Sequence, residues 1–163
     1  LAAPMAAAKQ FWLMKSEPDA YSIDDLERDV TQPWDGIRNY QARNNMRAMN
    51  VGDMVLFYHS NAKPPGVVGV AKVCKTTYPD HTAWDPKSKY FDPKSPEDAP
   101  RWEMVDVEFV EKTPRMVSLE DLKADPDLED MVVTQRSRLS VQPVSKEHFK
   151  HVLKLAGAKT KVR

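Results

Sequence analysis

Hydrophobic and polar positions change period several times along this chain, and each change marks an element. Residues 11–14, Phe-Trp-Leu-Met, form a short unbroken apolar run, the mark of a buried strand. Lys15-Ser16-Glu17-Pro18 ends it, because proline brings no N–H to a ladder. Ser22 then caps a helix that runs to about Asp29, with Asp24 and Asp25 suited to its first turn and Ile23 and Leu26 on one face. Pro33 breaks the chain before Trp34-Asp35-Gly36. Residues 39–49 turn helical again, with Tyr40, Met46 and Met49 placed for burial.

Gly52-Asp53 predicts a turn, and residues 54–58 a strand that runs into His59-Ser60-Asn61. After Lys63-Pro64-Pro65-Gly66, residues 67–75 form the next strand, where Gly69 marks a bulge or a close backbone approach. Residues 79–100 are rich in proline and aspartate and poor in aliphatics, which predicts a long loop. Residues 102–110 alternate, Val105, Val107 and Phe109 against Asp106 and Glu108, as a half-buried antiparallel strand does. Ser118 caps a short helix over 119–124, residues 131–133 read as a strand, and residues 136–143 as a polar segment with strand character. Ser145 caps a last helix that buries Phe149, Val152 and Leu153 and sets Lys146, Lys150 and Lys154 along another face, suited to backbone phosphates. Strands grouped centrally, with helices around them and no βαβ alternation, predict an α+β fold: a small curled antiparallel sheet.

Composition adds limits. The chain has 163 residues, enough for one domain with a real core, and its 41% hydrophobic and 29% charged content is that of a globular protein. Leu1-Ala2-Ala3-Pro4 reads as an expression remnant before a native Met5, so residues 1–8 are expected as a disordered start, 9–156 as the domain and 157–163 as a basic tail. The single cysteine, Cys74, excludes an internal disulfide and a thiolate cluster, and points to a reducing compartment, cytoplasmic or, in a eukaryote, nuclear. Twenty-four basic residues balance 24 acidic ones. A nucleic-acid partner would therefore be held by a local patch or by base contacts rather than by bulk charge.

Candidate chemistry centres on Trp34-Asp35-Gly36-Ile37-Arg38-Asn39-Tyr40-Gln41-Ala42-Arg43-Asn44, whose apolar residues keep neither a helical nor an alternating period. Rings for stacking stand beside amides and guanidiniums for directional hydrogen bonds. The same residues also fit a loop entering a helix, with Trp34 a core anchor. Trp34, Tyr40, Tyr58 and Trp102 fall at predicted element ends, where a curled sheet would gather them around a planar heterocycle; packing into separate parts of the core is the alternative. Enzyme signatures are missing: no Gly-rich phosphate loop, no His-Glu-x-x-His and no Gly-x-Ser-x-Gly. A small hydrolase would have to use His59 or His81, with Asp80 or Asp85 as a partner. His148 and His151 have no carboxylate or cysteine pattern beside them in the sequence, so neither a metal nor a cofactor is expected.

Five stretches then resemble one family in matching order. They are Trp12-Leu13-Met14-Lys15-Ser16-Glu17-Pro18; the 34–44 stretch; Phe57-Tyr58-His59-Ser60-Asn61; Tyr78-Pro79-Asp80-His81; and Arg138-Leu139-Ser140-Val141-Gln142-Pro143. The chain resembles the EVE-domain family, which includes the thymocyte nuclear proteins, from about residue 11 to 155. The resemblance implies a PUA-like fold, a small curled antiparallel β-barrel with flanking helices similar to YTH and ASCH domains, and a monomeric, non-enzymatic reader of nucleic acid carrying a modified base, modified cytosine in DNA above all. An RNA-binding relative indifferent to modification is the alternative. Carried over, the pocket would draw on Lys15, Ser16 and Glu17, on Trp34, Asn39, Tyr40 and Arg43, on Tyr58, Ser60 and Asn61, and on Arg138 and Ser140. Trp84 and Trp102 match less closely.

Overall fold

The computed structural model describes residues 8–135 and 138–162; the expectations for residues 1–7, for Arg136 and Ser137 and for Arg163 lie outside them. Strands β1 (Phe11–Ser16), β2 (Thr31–Pro33), β3 (Met54–His59), β4 (Gly66–Pro79), β5 (Glu103–Ser118) and β6 (Val141–Val144) form one sheet in the order β2-β5-β4-β3-β1-β6. Neighbours are antiparallel except β1 and β3, which run parallel because helices α1 (Ile23–Asp29) and α2 (Tyr40–Arg47) carry the chain back between them. The architecture is the α+β, PUA-like one.

Strand alternation divides the core between the two faces of this sheet. Trp12 and Met14 point to one side and pack with Ile23, Leu26, Trp34, Met46 and Phe57. Phe11 and Leu13 point to the other, against Leu122, Phe149, Val152 and Leu153 from α3 (Leu119–Ala124) and α5 (Lys146–Ala156). The indole N–H of Trp12 donates to Asp53, whose buried carboxylate also accepts from Asn50 N–H and Gln10, so the polar handle of a core tryptophan is satisfied. Pairing of β4 with β5 shifts register four times, which bends both long strands. At Gly69, beside one of these shifts, a Cβ would lie 2.5 Å from Ile23 Cδ1. The missing side chain is what lets α1 rest on the sheet.

Most expected elements stand where the pattern put them, including the caps Ser22, Ser118 and Ser145. The exception is 131–133, expected as a strand. Val132–Gln135 is instead a short helix, α4, and the β1 edge that a strand there would need is taken by β6. Pro143 is tolerated in β6 because that strand is the sheet's last. The segment after α5 is anchored: Gly157 closes the helix in the left-handed region, and Glu111 accepts the N–H groups of Lys159 and Thr160. Among the described residues no helix is long and apolar enough to cross a membrane.

Candidate functional site

The parallel pairing of β1 with β3, and β6 on its other side, bring three chain segments together at one end of the sheet. Ser60 N–H donates to Ser16 O and Lys15 N–H to Ser140 O, at 3.0 and 2.8 Å. Beyond these ends lies an open cleft of about 670 Å³. Its walls come from Lys15, Ser16, Glu17 and Tyr21, from the run 32–37, from Ser60, from Lys89 and Tyr90, and from Arg138 and Ser140. That volume falls within the range of small-ligand pockets.

One wall is aromatic. Trp34 is 7% exposed; its ring meets the Phe57 ring edge-on at 5.5 Å, and its backbone N–H donates to Val105 O. Facing this stretch is Tyr90, from the loop between β4 and β5. Gly36 adopts φ +79°, and a Cβ there would lie 2.5 Å from Tyr90 Cζ, so only glycine lets the ring come this close. Arg38 holds the loop in place: its guanidinium donates twice to Tyr90 O, at 2.9 and 2.7 Å, and packs against the Tyr90 ring. Arg38 is oriented in turn by Asp80, at 3.0 Å. Asp80 is fully buried and also accepts the N–H of Gly36 and both donors of Thr82. Burial pushes its carboxyl up, but the hydrogen bonds from Thr82, Gly36 and Arg38 outweigh this and hold it below its ordinary value.

The cleft's charges are mixed. Lys15, Lys89 and Arg138 stand against Glu17 and Asp35. Burial lowers the Lys15 ammonium, which lies over the Tyr58 ring at 5.5 Å. Burial and the neighbouring Asp80 carboxylate raise Asp35, opposed by His81 and Arg38. An aromatic wall, hydroxyls at strand ends and cations at the rim suit a planar, hydrogen-bonding ligand with a negatively charged tail.

Seven of the twelve expected residues meet at this cleft: Lys15, Ser16, Glu17, Trp34, Ser60, Arg138 and Ser140. The other five lie apart from its lining. Asn39 is the N-cap of α2, its side-chain oxygen occupied by Ala42 N–H. Tyr58 is 2% exposed and points to the Phe149 side of the sheet, continuing the alternation that puts Met54 and Leu56 there and Val55 and Phe57 on the other side. Asn61 is exposed in the β3–β4 turn at φ 48°. Tyr40 and Arg43 lie on α2, stacked beside Trp102 rather than in the cleft. The reading overlooked Tyr21, Asp35 and Tyr90; an isolated tyrosine among prolines and aspartates carries no periodic signal. Trp84 donates to Ser95 O and braces the long loop.

His59 and His81 both lie outside the cleft lining. His59 Nε2 accepts Ile23 N–H at 3.1 Å, holding the start of α1, and burial lowers its pKa. His81 is exposed in a 3₁₀ turn. Far along the chain, folding brings Asp125 and Asp127 beside His151, carboxylates that the sequence did not place there. His151 Nε2 already pairs with Asp125 at 2.7 Å, and this cluster belongs to the α5 side of the sheet.

Fold and cleft together define a PUA-like module with a polar–aromatic cleft at its strand ends. The EVE domain family model matches residues 10–155, and the chain belongs to that family. It is 45% identical over 164 residues to thymocyte nuclear protein 1 of Mus musculus, an alignment that covers 89% of this chain and 73% of the mouse protein. A hypothetical protein from Leishmania major has a similar structure, with TM-score 0.90 and 51% identity over 92% of this chain and 96% of its own. The human THYN1 protein, solved in complex with 5-methylcytosine-containing DNA, superposes with TM-score 0.88 at 42% identity, over 94% of this chain and all of the other, 100%.

Proposed function

We propose that this chain is a non-enzymatic module that takes a modified base of nucleic acid, a modified cytosine in DNA, into the cleft at the strand ends. The observation that carries the reading is the cleft's composition: Trp34 and Tyr90 beside the hydroxyls of Ser16, Ser60 and Ser140, with Lys15, Lys89 and Arg138 around them. Flat rings stack on a base of any sequence, hydroxyls read its edge, and cations take the phosphates. A base must leave its stack to enter such a cleft, so the ligand is single-stranded or flipped from a duplex. Similarity to a human protein bound to 5-methylcytosine DNA supports this choice of ligand. The module acts as a monomer inside the cell, in the nucleus of a eukaryotic source.

Fluorescence anisotropy with matched strands, one carrying 5-methylcytosine and one cytosine, at two salt concentrations, tests the reading. The modified strand should bind more tightly at both. Trp34→Ala should cost a stack of about 1–3 kcal/mol, ten- to hundredfold in affinity, but as a core ring it should also cost about 3–5 kcal/mol of stability. Tyr90→Ala, on a loop, is the cleaner variant. Equal binding of both strands by the parent, or tighter binding of a matched RNA, would overturn the preference proposed here.

A further inference from the structure

The displacement of Tyr40 and Arg43 from the cleft leaves an exposed feature that the reading above does not use. Tyr40 is 52% exposed at the first turn of α2, where a large ring has no core to fill. It is nevertheless held flat: its ring stacks on Trp102 at 4.8 Å and 24°. Trp102 is buried and fixed through its indole N–H to Asp92 at 2.7 Å. Arg43 lies 4.7 Å from the Tyr40 ring centre, its guanidinium spread between Arg101 O and Asn44 Oδ1. The stack connects to the cleft, because Arg38 sits 5.6 Å from both the Trp102 ring and the Tyr90 ring. A continuous column of rings and guanidiniums thus runs from the cleft wall to an open aromatic surface.

We propose that this surface is a second nucleotide subsite, on which a base flanking the modified one stacks against Tyr40 while Arg43 takes the intervening phosphate. The proposal rests on the functional reading above and commits to a single strand as ligand, since in an intact duplex the neighbouring bases stay stacked on each other. A ring already ordered by Trp102 loses little further freedom on binding, and one exposed aromatic gives stacking without sequence preference. The platform therefore adds affinity, while discrimination between bases stays in the cleft.

A mutant cycle between protein and strand tests this. Single-stranded nonamers with one 5-methylcytosine are prepared intact, or with an abasic site at each flanking position in turn. Each is titrated by anisotropy against the parent, Tyr40→Ala and Tyr40→Leu, with circular dichroism confirming the fold. Tyr40→Ala should weaken the intact strand about tenfold and leave the preference for the modified base unchanged. At one flanking position the abasic site should weaken the parent by a similar factor and have no further effect on either variant. A merely structural role for Tyr40 would lower affinity with no such coupling, and coupling at no position overturns the platform. If the parent binds only duplex, the platform falls and the cleft reading stands. If the parent binds neither form, both fall.

Discussion

Replacing Asp80 by asparagine should loosen the cleft wall without changing its shape. The carboxylate is buried and accepts four hydrogen bonds, two on each oxygen: Gly36 N–H and Arg38 Nη1 at 2.8 and 3.0 Å, Thr82 N–H and hydroxyl at 2.9 and 2.6 Å. Asparagine offers one acceptor oxygen and one amine, so half of these donors must face another donor. The Thr82 hydroxyl can turn and accept. The amine should therefore settle on the Thr82 side, leaving Thr82 N–H buried and unpaired, while Arg38 loses its counter-charge. An unpaired buried donor costs about 1–3 kcal/mol; with the weakened ion pair, partly relieved because Arg38 is 22% exposed, the total should be about 2–4 kcal/mol. Urea unfolding followed by circular dichroism measures it. The pH dependence supplies an independent check. The folded carboxyl titrates below its ordinary 3.8, so its contribution is complete above that pH and is lost as pH falls through the lower folded value. The gap between parent and variant should be constant near neutrality and narrow only in acid. A stability loss under about 0.5 kcal/mol would refute the reasoning, because a buried, fully used carboxylate cannot be replaced that cheaply.

Three further outcomes are expected. Gly36→Ala should destabilise by about 2–4 kcal/mol and weaken oligonucleotide binding, since φ +79° is strained for alanine and its Cβ would displace the Tyr90 ring; urea midpoints and anisotropy check both. His59→Gln should flatten the fall in stability between neutral and acid pH: burial lowers the folded pKa below 6.5, so the parent's neutral-histidine contribution is present above 6.5 and lost as pH falls below it. Changing Lys146, Lys150 and Lys154 to glutamine should leave binding and its salt slope unaltered. Helix α5 packs on the sheet face of Phe11 and Leu13, across the sheet from Trp34, so a strand held in the cleft need not reach these lysines. A drop of about one in the slope for each lysine would show that it does.

Local physics determined much of this protein from the sequence alone. Runs such as 11–14 and 54–58 become strands because burial on both faces needs unbroken apolar residues, and Ser22, Ser118 and Ser145 start helices because their oxygens accept N–H groups that the first turn leaves free. Lys15, Ser16, Ser60 and Ser140 were marked for the cleft by the family resemblance, and the fold places them at the ends of β1 and β3 and just before β6. What the tertiary structure alone decided depends on contacts between distant segments. Residues 131–133 have strand propensity, but β3 and β6 pair the two edges of β1. Tyr58 simply continues the alternation of Met54 and Leu56 into the core that holds Phe149, and which face of β3 borders the cleft was settled only when the sheet and its helices came together. Tyr40 and Tyr90 look alike in sequence, each a tyrosine among polar neighbours. The fold separates them: Arg38, carrying Asp80 on one side and the Tyr90 carbonyl on the other, ties a loop 52 residues away onto Gly36, while Trp102 holds Tyr40 outside. No periodicity encodes such a tie, because its partners are joined by charge and shape rather than by spacing along the chain.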